Sequence, residues 1–169
     1  MEYRDIIYTK QEGIATMTLN RPEAMNAFGP EMRESIARAV EDASKDREVR
    51  VLVVTGAGRA FCTGADVKAM AEEINQGKRS EETAKRFQMV LPLVLWKFNK
   101  PTIAAINGVA VGGGLDVALA CDIRIASDKA RFAQVFIRRG LIPVTGGTYF
   151  LPRLIGLDRA CLLTWTGEM

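Results

Sequence analysis

Histidine is absent from the 169 residues of this chain. That absence excludes every Ser-His and Cys-His nucleophile pair and removes the commonest metal ligand. Acid–base chemistry must then fall to Asp, Glu, Lys, Tyr, Cys or water. Cysteine is scarce. Cys62, Cys121 and Cys161 are odd in number and widely spaced, which indicates neither a disulfide framework nor a zinc motif, and no metal is expected. Two of them sit in apolar contexts and read as buried, reduced thiols. No apolar stretch is long enough to span a bilayer, and the opening MEYRDIIYTK lacks the apolar core of a signal peptide. The expectation is a cytoplasmic protein with no membrane partner. A large excess of one charge is also lacking. A net charge of +3 suits a small anionic ligand but is too weak and scattered to argue for nucleic acid.

The remainder describes one ordinary globular domain, with 48% hydrophobic and 25% charged residues. Residues 3–9 and 13–20 read as two strands around a turn at Gln11-Glu12-Gly13. In the second, Ala15, Met17 and Leu19 alternate with Thr16 and Thr18. Gly29-Pro30 opens an amphipathic helix with Met32, Ile36, Val40 and Ala43 on its apolar stripe. Glu34–Arg38 and Glu41–Lys45 are spaced as ion pairs on its wet side. VRVLVVT (49–55) suits a strand covered on both faces. The glycine-bearing loop GAGRAFCTGA follows, and Asp66 to Glu73 reads as helix. A polar loop around Asn75 to Ser80 is expected to be mobile, before a helix from about 81 to 98 that Pro92 kinks or splits. Phe87, Trp96 and Phe98 could line a pocket, although core packing is the favoured reading.

The stretch PTIAAINGVAVGGGLDVALACDIRIASD (101–128) carries the chemistry. Two short apolar runs, 102–106 and 109–111, lead through Gly112, Gly113 and Gly114 into a helix bearing Asp116. Three glycines between a strand and a helix cost backbone entropy. They are best explained if a ligand must approach the backbone and be met by free N–H groups at the helix start. Amide donors beside one carboxylate can stabilise an oxyanion while a proton moves. A tight turn followed by a helix-start acid is the alternative for this stretch alone. Ile123 and Ile125 mark another strand, 130–136 a crossing segment, 141–147 a loop and 148–154 a helix. Gly156 stops that helix, and a final one starts near Asp158 as its N-cap. Strands alternating with helices indicate an α/β fold.

Four blocks in order, NRPEAMNAF (20–28), VLVVTGAGRAFCTGADVKAM (51–70), KPTIAAINGVAVGGGLDVALACDIRIAS (100–127) and GLIPVTGGTYFLPRLIG (140–156), resemble the crotonase, or enoyl-CoA hydratase/isomerase, superfamily. The resemblance implies a crotonase-like spiral of ββα units over residues 1–169, without the usual C-terminal helical region. It implies an acyl-CoA thioester as partner, with coenzyme A as part of the substrate and no separate cofactor. It places the two oxyanion-hole amides at Ala65 and Gly113, with Asp66, Val67 and Lys68 along the thioester and pantetheine. The nucleotide end falls near Met25 and Ala27, with Arg59 either at the phosphates or simple surface charge.

Asp116 falls where hydratases of the family carry their first glutamate. The second acid falls at Phe136, which cannot move a proton. Acids used in other branches fall at Phe136 and Val144, both apolar here. Asp116 is the acid that remains, which favours isomerisation, with a proton taken from one carbon and returned to another. Lining by Phe136 and Val144 is expected to raise its pKa. Apolar surface near Leu162, Leu163 and Trp165 is a reason to expect self-association, and the resemblance implies a trimer or a dimer of trimers. An acyl-CoA-binding or assembly-forming homologue without catalysis is the alternative.

Overall fold

The computed structural model describes residues 2–69 and 91–169. Two strands start the chain, β1 (Ile6–Gln11) and β2 (Ile14–Leu19), paired antiparallel. Ala15, Met17 and Leu19 face the core at 0–1% exposure, as their alternation predicts. A turn of 3-10 helix, Pro22–Ala24, leads to left-handed Met25 and Asn26. The helix α1 (Pro30–Lys45) then buries Met32, Ser35, Ile36, Ala39, Val40 and Ala43. Of its two expected ion pairs, Glu41–Lys45 forms at 2.5 Å. Arg38 turns instead to the Glu2 carbonyl and the Tyr3 ring.

From there the chain repeats one theme. A longer strand joins the first sheet, a short strand joins a second sheet, and a helical segment returns. The pairs are β3 (Val51–Gly56) with β4 (Ala60–Cys62), β5 (Thr102–Ile106) with β6 (Val109–Val111), and β7 (Ile123–Ala126) with β8 (Arg131–Ala133). The large sheet runs β1-β2-β3-β5-β7 and the small one β4-β6-β8. Apart from β1 with β2, all pairings are parallel, so each repeat needs a crossover. This is the expected α/β spiral of ββα units. The short helix α2 (Leu91–Trp96) precedes β5. Between β6 and β7 lies α3 (Gly113–Ala120), and a 3-10 turn at Val135–Arg139 precedes α4 (Gly147–Ile155) and α5 (Leu157–Thr166).

Several expectations need correction. β4 and β8 lie in stretches read as loop and crossing segment, because three residues are too few to show a period. The N-cap of α5 is Gly156, with Asp158 in the first turn. Trp96 is 54% exposed, since Leu91 and Leu95 of α2 take the inward positions. It meets Tyr149 and Phe150, with ring centroids 6.0 and 6.2 Å away. Phe98 packs partly buried against the core. Phe87, the loop at 75–80, the helical residues expected at 70–73 and the first part of the helix expected from 81 lie outside the described residues. Cys62 and Cys121 are buried, and burial pushes both thiols up to about 12, which keeps them protonated. No helix among the described residues is long and apolar enough to cross a membrane.

Candidate active site

Two loop-to-helix junctions meet at the top of the small sheet. The first follows β4. Phe28 forms a parallel bridge to Ala65, with its N–H on the Gly64 carbonyl at 2.8 Å and its carbonyl accepting the Asp66 N–H at 3.3 Å. In such a bridge the opposed residue turns its own N–H and C=O to the other side. The Ala65 N–H therefore points away from Phe28. The second junction follows β6, where the Gly112 N–H is held by the Ala133 carbonyl at 2.9 Å and α3 begins at Gly113. The N–H groups of the first helical turn have no acceptor within the helix, and Asp116 makes the first helical bond, back to Gly112 at 3.0 Å.

Packing between the junctions dictates two of their glycines. Gly64 has φ +86°, and a Cβ there would lie 3.1 Å from the Gly113 nitrogen. A Cβ on Gly114 would lie 2.2 Å from the Cys62 carbonyl oxygen. Gly113 differs. A Cβ there would meet the Gly64 Cα and the Thr145 hydroxyl at ordinary contact, 3.7 Å each. The protein itself has room for a side chain at 113.

Asp116 lies one turn into α3 and is 0% exposed. Gln134 Nε2 donates to its Oδ1 at 2.7 Å, the Thr145 hydroxyl donates to its Oδ2, and the Gly147 N–H also donates to the carboxylate. Burial pushes this carboxyl above its ordinary value, and the bonds from Thr145, Gln134 and Gly147 pull against that without cancelling it. The shell that holds it is polar. Phe136 packs instead beside Gly112, 3.7 Å from the position a Cβ would take there, and Val144 is 59% exposed. Gln134 and Thr145, neither foreseen from sequence, supply two of its three donors. Buried Gln134 keeps one amide oxygen without a hydrogen-bond partner among the described residues.

A cleft of about 640 Å³ opens beside the first junction, lined by Ala27, Ala65, Asp66, Val67 and Lys68 together with Arg21, Thr63 and Arg139. Five expected residues thus line one space. Arg21 and Arg139 were not singled out from sequence. Arg21 pairs with Asp66 at 3.0 Å and donates to the Ala27 carbonyl at 2.9 Å. Burial raises Asp66, but the Ala69 N–H, Arg21 and the Lys68 N–H outweigh it and leave the carboxyl below its ordinary value. Met25 and Arg59 sit outside that lining and meet each other, Nε to Sδ, at 3.1 Å, with Arg59 exposed. A second, apolar hollow of about 730 Å³ lies between α3, α4 and α5, and Leu162 and Leu163 border it. Among the described residues no group of three or more Cys, Asp or Glu is placed to hold a metal ion.

The family described as enoyl-CoA hydratase/isomerase matches residues 9–169. A protein from Rhodobacter capsulatus named probable enoyl-CoA hydratase is 42% identical over 160 residues, 95% of this chain and 60% of the relative. The 1,2-epoxyphenylacetyl-CoA isomerase of Escherichia coli is 40% identical over 159 residues, 94% of this chain and 61% of the relative. The crystal structure of an enoyl-CoA hydratase from Bacillus anthracis superposes with a TM-score of 0.88 at 34% identity, covering 98% of this chain and 64% of that one. The chain thus covers somewhat less than two thirds of these relatives.

Proposed function

The chain belongs to the enoyl-CoA hydratase/isomerase family, and on that footing we propose that it acts on an acyl-CoA thioester through an enolate held by the amides of Ala65 and Gly113, with Asp116 as acid and base. The observation that carries this reading is Gly113. Its neighbours in the fold are dictated by contacts with protein, whereas 113 is a glycine where a Cβ would meet atoms no nearer than 3.7 Å. A ligand carbonyl approaching the Gly113 N–H accounts for the missing side chain.

A proton α to a thioester is too weakly acidic for an unaided carboxylate. Charge appearing on the thioester oxygen is stabilised by preorganised N–H donors in a dry site, one such donor contributing about 3–4 kcal/mol. The positive end of α3 adds to this. Burial makes Asp116 a stronger base than an exposed aspartate. It takes the proton from one carbon, the enolate forms, and the same proton returns to another carbon as the double bond moves. Coenzyme A enters as part of the substrate, its acyl-proximal arm in the cleft by Val67 and Lys68.

A second reading, acyl-CoA binding without turnover, is favoured by one observation. Both oxygens of Asp116 are already engaged by protein donors. Assaying 2-enoyl and 3-enoyl thioesters for water addition and double-bond shift, beside Asp116→Asn, decides between them. The proposal expects a double-bond shift that the variant loses. Unimpaired turnover in the variant would sink it, and binding of CoA with no turnover in either protein selects the second reading. Self-association into a trimer or a dimer of trimers is part of the proposal, with Leu162 at 60% and Trp165 at 72% exposure offering the surface.

A further inference from the structure

Asp116 cannot meet a substrate as it stands. It has no exposed surface, while Thr145, whose hydroxyl donates to Oδ2, is partly exposed. The same hydroxyl lies 3.7 Å from the position a Cβ on Gly113 would occupy, so it borders the space beside the amide assigned to the thioester oxygen. Gln134 and Gly147 approach the carboxylate from the buried side. Gln134 is 0% exposed, and a Cβ on buried Gly147 would lie 2.6 Å from Oδ1 and 2.7 Å from Gln134 Nε2. Of the three donors, Thr145 is the one on the open side.

We infer that Thr145 is a positioning residue for Asp116: its hydroxyl holds Oδ2 on the site side of the empty site, and turns from donor to acceptor when Oδ2 takes a proton from substrate. The inference rests on the acid–base role proposed for Asp116. A threonine suits the task because its O–H can turn about the Cβ–Oγ bond while the oxygen stays in place, whereas the Gly147 N–H is fixed in the backbone. The hydroxyl can also accept where it first donated, so it remains a partner once Oδ2 carries the proton. Proton balance is simple. The substrate C–H breaks, the proton passes to Oδ2, and the hydroxyl changes from donor to acceptor without gaining or losing a proton.

The electrostatics around the carboxylate are clean enough to read this effect. Among the described residues no charged side chain acts on Asp116. The neighbouring thiols, Cys62 on β4 and Cys121 at the end of α3, stay protonated. On α4, Arg153 is turned to the Tyr149 carbonyl and ring. β6 and α2 bring no titratable side chain. A hydrogen bond to an ionised carboxylate favours the charged form, so losing it moves the titration to higher pH.

The test is a ¹³C NMR titration of the aspartate carboxyls in the ligand-free protein, with Asp116→Asn to assign the signal, beside pH profiles of kcat/KM on an enoyl-CoA thioester. Thr145→Val keeps the shape and removes the hydroxyl, and Thr145→Ser keeps the hydroxyl. The valine variant is expected to titrate about one to two pH units higher at Asp116, with the acid limb of its rate profile moved the same way. The serine variant is expected to match the wild type on both. An Asp116 midpoint unmoved in Thr145→Val, or moved equally in Thr145→Ser, overturns the inference. A midpoint that moves while the rate profile does not supports the hold of Thr145 and overturns the acid–base role of Asp116 instead. Thr145→Ala carries the same expectation and replaces the valine variant if that protein does not fold.

Discussion

Replacing Gly113 and Gly114 by alanine, one at a time, separates a glycine kept for a ligand from one kept for the fold. The two are adjacent in the first turn of α3, so the helix-propensity change on going from glycine to alanine is the same for both. Their surroundings differ. At 114 the new methyl would lie 2.2 Å from the Cys62 carbonyl oxygen and 2.6 Å from its carbon, both backbone atoms that cannot rotate away. Such overpacking costs about 1–3 kcal/mol. At about 2–4 °C per kcal/mol for a domain of this size, Gly114→Ala is expected to melt several degrees lower. At 113 the methyl would meet its nearest atoms at 3.7 Å, and the helical backbone suits alanine. Reduced freedom of the unfolded chain should then stabilise Gly113→Ala by about 0.4–1 kcal/mol, a rise of roughly 1–4 °C. Its activity should move the other way. A methyl beside the amide holds the thioester oxygen off its donor, and losing one such donor lowers turnover by about 10²–10³-fold. Thermal melts and a double-bond-shift assay on both variants read the two effects separately. If Gly113→Ala turns over within tenfold of wild type, or melts lower as Gly114→Ala does, the glycine is structural and the case for an oxyanion at 113 is lost.

Other perturbations test the remaining links. Because burial raises the folded-state pKa of Asp116, its contribution to stability is fully present below the ordinary carboxyl pKa and is lost as pH rises through the raised value. The melting temperature of wild type minus that of Asp116→Asn should therefore fall across that window, and a flat difference would refute the raised value. Asn26 is fully buried, accepts from the Arg21 N–H and donates to the carbonyls of Ala57 and Ala60. Asn26→Asp sets a carboxylate against those two carbonyls and should destabilise by about 2–4 kcal/mol in denaturant unfolding at pH 7. Less than 1 kcal/mol would mean that the loop tolerates the charge. Leu162→Lys with Trp165→Lys should reduce any self-association in sedimentation velocity. An unchanged distribution would place the contact elsewhere.

Much of this fold was legible because its longer elements carry their own period. The alternation in 14–19 and the stripe of α1 are local patterns, and each turned its apolar side to the core. β4 and β8 were not legible. Each has three residues, and what makes them strands is pairing with β6 across a long stretch of sequence, which no local window contains. The exposure of Trp96 failed for a related reason. Helical spacing fixes a face only to within a residue, and the neighbouring Leu95 took the buried position.

A similar ambiguity, of one or two residues, decides the site. The family resemblance puts Phe136 and Val144 beside Asp116. Their near neighbours Gln134 and Thr145, 18 and 29 residues from Asp116 in sequence, hold the carboxylate. Residues in a loop or 3-10 turn carry no periodicity, so sequence locates the segment but not the side chain that points inward. The consequence is chemical as well as geometric. An acid among phenylalanine and valine would be raised by dry surroundings and left without partners. This acid is raised by burial and held at the same time by three donors, one of which faces the open side. Under the acid–base role proposed for Asp116, its reactivity depends on a hydroxyl that turns from donor to acceptor, which joins the two junctions, the carboxylate and Thr145 into one device.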